Sequence, residues 1–162
     1  SPESLGGIGK NVKEGQTPSM TDGQLYLLNI ADKRVTPLTK DFNPSVQRAV
    51  WNKADGQIYF TAENRDCYSL YRMNPADGKI QQLEVSEDLV NSFSLAQNAP
   101  VMVYYGQSAS NSDRLYTMNT KKMKSSLLED LSKDILKDVE LGECKAWYLK
   151  QATFAICVSG CL

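Results

Sequence analysis

Gly106-Gln107-Ser108-Ala109-Ser110 follows an apolar run and shares its first and third residues with Gly-x-Ser-x-Gly, the turn that presents a serine nucleophile. A serine in that role needs an imidazole to take its proton, and the 162-residue chain contains no histidine. Ser110 stands where the motif has its last glycine, and no helical pattern follows. The segment is therefore expected to be a hairpin. Cys157-x-x-x-Cys161 has a spacing that invites zinc, but structural zinc sites combine close cysteine pairs, or cysteine with histidine. Cys67 and Cys144 supply no second close pair, so free thiols are the expectation. No pair of carboxylates stands apart from turn and surface positions. The chain is expected to hold no catalytic, cofactor-binding or metal-binding residue by itself, and to need no cofactor; substrate-binding residues are not assigned.

Bulk properties narrow the partners. Net charge is −1 with acidic and basic residues interspersed, which leaves no electrostatic footprint for nucleic acid. Lys121-Lys122-Met123-Lys124, the one basic run, reads as a solvated hairpin tip. No apolar run approaches the roughly 18 residues of a membrane span. The first residues lack a charged segment followed by an apolar stretch and lack an initiator Met. That fits a processed or excised chain and leaves a removed secretion signal open; location is not assigned, with a periplasmic or extracytoplasmic one favoured slightly over a cytoplasmic one.

The elements that would position any site repeat. Leu25-Tyr26-Leu27-Leu28-Asn29, Leu70-Tyr71-Arg72-Met73-Asn74 and Leu115-Tyr116-Thr117-Met118-Asn119 are one pentapeptide recurring every 45 residues. Leu38, Leu83 and Leu128 keep the same interval, as do Asp32 and Asp77. Ile58-Tyr59-Phe60 maps onto Val103-Tyr104-Tyr105 by the same shift. A period near 45 is that of a β-propeller blade. Closed propellers have about four to eight blades, more than this length can supply.

The period predicts an all-β fold: a partial β-propeller of about two and a half four-stranded antiparallel blades. Residues 1–20 form an irregular N-terminal segment, 21–40 a half blade, 41–85 and 86–129 complete blades, and 130–162 an exit segment. Strands are expected at 24–29, 34–39, 46–51, 57–62, 69–74, 79–84, 92–97, 101–106, 114–119 and 123–128. Middle strands such as Ile58-Tyr59-Phe60 are apolar at consecutive positions, as strands covered on both faces are. Fourth strands, such as Lys79-Ile80-Gln81-Gln82-Leu83-Glu84, are more polar and belong at the edge. Trp51, Tyr59, Tyr71, Tyr104, Tyr105 and Tyr116 are expected to pack the blades. Ser126-x-x-Glu129 resembles a capping box ahead of Leu131, Ile135 and Val139, which predicts a short amphipathic helix or an irregular exit segment over 127–139. Residues 143–150 add a strand; 151–162 match no repeat. End blades without neighbours would expose faces built to be covered, which predicts cover by the terminal segments or self-association.

Trp51-Asn52-Lys53-Ala54-Asp55-Gly56-Gln57-Ile58-Tyr59-Phe60-Thr61-Ala62 is similar to a W-x-x-x-D-G-x-x-[IL]-Y-F-T strand pair, and residues 69–79 continue it as the next hairpin. Together they resemble the propeller of prolyl-oligopeptidase-type serine peptidases, particularly dipeptidyl-aminopeptidase-like members. Related blades occur in Tol-type translocation propellers. The resemblance implies a non-catalytic propeller region that shapes and gates peptide access to an α/β-hydrolase domain. That domain, in the same parent chain, would carry the Ser, Asp and His, so none of the triad is carried over to this sequence. The alternative is a binding or scaffold propeller of Tol-type or surface-protein class with no enzymatic partner domain.

Overall fold

The computed structural model describes residues 22–140, 142, 144–150 and 155–161; the irregular segment expected over 1–20 lies outside them. Two compact units are present, Ser1–Glu84 with Gln97–Pro100, and Val85–Ala96 with Val101–Leu162. Unit 1 holds a hairpin of β1 (Tyr26–Leu28) and β2 (Val35–Pro37). It is followed by an antiparallel meander of β3 (Ser45–Trp51), β4 (Ile58–Asn64), β5 (Cys67–Met73) and β6 (Ile80–Gln82). Unit 2 repeats the meander with β7 (Leu89–Leu95), β8 (Val101–Ser108), β9 (Asn111–Asn119) and β10 (Lys124–Asp130). A single-turn helix, α1 (Lys133–Leu136), and a hairpin of β11 (Cys144–Lys150) and β12 (Ala155–Cys161) end the unit. Among the described residues no helix is long and apolar enough to cross a membrane.

The asparagine that ends each pentapeptide starts a turn. The Oδ1 atoms of Asn29, Asn74 and Asn119 accept the backbone N–H two residues on, from Ala31, Ala76 and Lys121, each at 3.0 Å. Asn52, which follows β3, does the same to Ala54. Asp32, Asp55 and Asp77 then accept from the N–H groups of Arg34, Gln57 and Lys79. Asx side chains bond locally in this way and tolerate the sharp reversal. The residue after the aspartate sits at positive φ: 70° at Gly56, 69° at Gly78 and 56° at Lys33. Met123 takes that place in the β9–β10 turn at φ 53°. The left-handed region costs an L-residue about 1–2 kcal/mol, while glycine loses about 0.5–1 kcal/mol to chain entropy. Met123→Gly is accordingly expected to stabilise the protein by about 0.5–1 kcal/mol, read as a higher urea midpoint with unchanged m-value.

In unit 1 the core is built on the alternation of β4. Ile58, Phe60 and Ala62 cluster with Val46, Tyr71 and Met73, with Leu25, Leu38, Phe42 and Ile80 packed at the margin. Phe60 stacks on Tyr71 at 5.4 Å, and Phe42 stands edge-on to both rings, 5.7 and 5.0 Å away. Tyr59, Thr61 and Leu70, on the opposite face, are buried as well. This is why the strand lacks an alternating pattern. In unit 2, Val90, Phe93, Met102, Tyr104, Tyr116 and Met118 are buried, with Tyr104 stacked on Tyr116 at 5.1 Å. Gln81 and Gln82 of β6 and most of β10 are exposed, as polar fourth strands require.

Pairing corrects the repeat register in one strand. Phe60 opposes Tyr71, but the residue opposing Tyr116 is Tyr104, not Tyr105. Met102 likewise takes the place of Ile58, opposite Met118 and Met73 respectively. The second strands are thus offset by 44 residues, while the third strands keep 45. The lead-in to β7 is one residue shorter than the lead-in to β3, and a β-bulge between Gly106 and Ser108 restores the residue before Arg114. Two compensating changes hide inside a constant period. Because the side-chain period of a strand is two, the slip turns Tyr105 outward, where it is 40% exposed. Trp51 also departs from the expected core role: it is 53% exposed and its Nε1–H donates to the Gly56 carbonyl across the β3–β4 turn.

The segment 127–139, expected as a short helix or an irregular exit, begins as strand and holds one turn of helix. Ser126 and Glu129 lie within β10, paired with β9 through Asp130 opposite Arg114, so the capping box does not form. Continued pairing with β9 satisfies the backbone that an isolated helix would have to satisfy alone. Only α1 is helical, with Ser132 at its N-terminus, and Leu131, Ile135 and Val139 are exposed. Leu128 falls at a second bulge and is 53% exposed, unlike the buried Leu83. Cys144–Lys150 is a strand, as expected for 143–150, and Ala155–Cys161 pairs with it.

Candidate functional site

A concave polar feature of unit 2 lies beside the β8–β9 bulge. Ala109 and Ser110 form the tip of the hairpin between Ser108 and Asn111. The second bulge, at Leu128 between Leu127 and Glu129, sets Arg114 opposite Asp130 of β10. Bulges commonly re-aim side chains in this manner. Arg114 Nε donates to Asp130 Oδ2 at 2.8 Å, and Ser132 donates to Asp130 Oδ1 from both Oγ (2.8 Å) and its backbone N–H (3.1 Å). Leu131 N–H donates to the Asp113 carbonyl, tying the chain after β10 back to the bulge. Around this cluster lies a cleft of about 340 Å³, to which Asn111, Lys133, Leu136 and Val139 also contribute.

Its electrostatics follow from these bonds. Asp130 is held below the usual carboxylate range, first by the Ser132 hydroxyl and then by the Arg114 guanidinium. Arg114 is raised further by its bond to Asp130. Two residues past Arg114 on β9, Tyr116 donates its O–H to the buried Glu87 Oε1 at 2.5 Å, while Glu87 Oε2 has no hydrogen-bond partner among the described residues. Burial, and then Glu87, push the Tyr116 phenol up to about 12. Gly106 lets this segment close: a Cβ there would meet the Leu89 carbonyl oxygen at 2.4 Å and Glu87 Cβ at 3.2 Å.

The sign of the pH effect follows directly. An unfolded phenol ionises near pH 10, whereas folded Tyr116 holds its proton to about 12. Its contribution is complete below pH about 10 and is lost as pH rises through about 12. Urea midpoints measured across pH 9–12 are expected to fall over that window, with a smaller fall in Tyr116→Phe.

The serine hydroxyls in and beside the cleft are engaged in local hydrogen bonds. Ser132 Oγ is committed to Asp130, and Ser108 Oγ accepts from Asn111 Nδ2 inside the turn. Neither serine has an imidazole, since the chain has none. The Gly106–Ser110 segment is the β8–β9 hairpin and not a nucleophile elbow. Tyr59, Tyr71, Tyr104 and Tyr116 are buried in the blades, as expected. Arg114, Asp130 and Glu87 carried no signal in the sequence. Arg114 and Asp130 meet only through the bulge at Leu128, and Glu87 sits in a stretch that reads as an ordinary acidic loop.

With each unit a twisted meander of about one period, the fold can be compared with solved structures. Pyrococcus horikoshii acylaminoacyl peptidase matches 88% of this chain at 18% identity with a TM-score of 0.67, using 21% of its own length. An acylaminoacyl peptidase in complex with Z-Gly-Gly-Phe-chloromethyl ketone matches 85% at 18% identity and a TM-score of 0.66, over 20% of its length. TolB from Acinetobacter baumannii matches 84% at 12% identity and 0.55, over 34% of its length. This is a partial β-propeller. The propeller segment spans about a fifth of the peptidases it matches and a third of TolB, the two classes that the blade motif at 51–62 resembles. No family model and no curated protein matches the propeller.

Proposed function

We propose that the chain is a non-catalytic propeller region of a prolyl-oligopeptidase-type serine peptidase, of dipeptidyl-aminopeptidase-like kind. In this reading it shapes and gates peptide access to an α/β-hydrolase domain of the parent protein. The observation that carries the reading is the likeness over 88% of this chain to a fifth of an acylaminoacyl peptidase, in a chain without histidine. A hydrolase needs the imidazole base that this segment cannot supply. The peptide and the hydrolase domain are then its partners, and the exposed Leu127, Leu128 and Leu131 offer apolar surface for association. The likeness to TolB supports a second reading, a scaffold propeller with no enzymatic partner.

The parent reading frame and its product test the two. Downstream of this segment the peptidase reading expects Gly-x-Ser-x-Gly, then Asp, then His, and labelling of the full-length protein by a fluorophosphonate. Further blades or a stop in that place support the scaffold. The chain alone is expected to turn over no dipeptidyl chromogenic substrate; turnover by the pure chain overturns the non-catalytic role.

A further inference from the structure

β11 and β12 pair without a break, from Cys144 opposite Cys161 to Lys150 opposite Ala155. The two cysteines therefore hold directly opposed register positions at the open end of the hairpin. Directly opposed residues of an antiparallel pair have Cα atoms about 4.5–5.5 Å apart. A disulfide spans Cα separations of about 4.4–6.8 Å. Opposed residues also share one face of the sheet.

The remaining cysteines are placed differently. Cys157 is opposed by Tyr148, and Cys67 opens β5 in unit 1 with its thiol 3.8 Å from Asp66 Oδ1. Cys157 and Cys161 are on one strand, where four residues span about 13 Å, too far for a bridge. Spacing along the chain hides the pair that the hairpin brings into register.

We propose that Cys144 and Cys161 form a disulfide that clasps the β11–β12 hairpin when a small-molecule disulfide such as oxidised glutathione is the oxidant. The thiolate of one cysteine attacks a glutathione sulfur, forming a mixed disulfide and expelling one glutathione thiolate. The second cysteine's thiolate attacks the protein sulfur of that mixed disulfide and expels the other glutathione. The two cysteines lose two electrons and two protons, and oxidised glutathione becomes two reduced molecules. Excess reduced glutathione reverses both steps.

The whole chain is equilibrated with oxidised or with reduced glutathione, alkylated, and mapped by peptide mass. Under oxidation two of the four thiols should disappear into a Cys144–Cys161 linked peptide, and Cys67→Ser/Cys157→Ser should keep that link. Cys144→Ser should leave no intramolecular disulfide. Amide exchange over 144–161 should slow about a hundredfold on oxidation, the worth of a bridge closing a loop of this length. Four alkylated thiols under oxidised glutathione, a bridge through Cys67 or Cys157, or glutathione left attached at Cys161 overturns the proposal. The wild-type map decides it even where a variant does not fold.

Discussion

Phe60→Ala is expected to destabilise the protein by about 3–5 kcal/mol, enough to unfold much of the population at room temperature. Phe60 is fully buried and is the ring on which both Tyr71 and Phe42 depend. Truncation removes the transfer free energy of the side chain and leaves a cavity walled by β-strand residues, which relax little. Phe60→Leu, which keeps most of the volume, should cost less than half as much. Urea unfolding followed by near-ultraviolet circular dichroism measures both. A loss under 1 kcal/mol for the alanine variant would mean that the face shared by β4 and β5 is not a packed core.

The second large effect is polar. Tyr116→Phe deletes the O–H that Glu87 Oε1 accepts, leaving a buried carboxylate with neither oxygen bonded. The expected cost is about 2–4 kcal/mol at pH 7, most of it the desolvation of the abandoned charge. Glu87→Leu in the Tyr116→Phe background removes that charge and should recover a large part of the loss. A double-mutant cycle in urea therefore gives a coupling well outside additive error. Purely additive losses would show that the phenol and the carboxylate act independently.

These two sites contrast in how far they could be read from the chain. Phe60 is legible: it lies in a strand that repeats, in a run apolar at consecutive positions, and such runs are buried on both faces. The turns are legible too. Asn74 and Asp77 before Gly78 announce an Asx turn followed by a positive-φ position, and the same chemistry recurs at Asn52, Asp55 and Gly56. Trp51 and Tyr105 read as core for the same reason as Phe60 and are not, because periodicity reports spacing and not register. A residue lost before β7 and regained at the Gly106–Ser108 bulge leaves the period at 45 while sending Tyr105 to the other face. Of the short helix or irregular exit read into 127–139, only Lys133–Leu136 is helical, for a related reason. Heptad-like spacing of Leu131, Ile135 and Val139 is local, and the pairing of β10 with β9 is not.

The sequence by itself determined the blade. A pentapeptide at a constant interval, strands apolar on both faces and Asx-Gly turns are all short-range features, and each is enforced by backbone geometry within a few residues. The absence of histidine also settled, without any coordinates, that this chain carries no serine-histidine machinery. Only the tertiary structure decided which residues meet. Arg114 reaches Asp130 through the bulge at Leu128, Glu87 finds Tyr116 from 29 residues away, and Cys144 comes to stand opposite Cys161. Strand pairing joins positions that sequence separation does not order, and a one-residue bulge changes every partner beyond it.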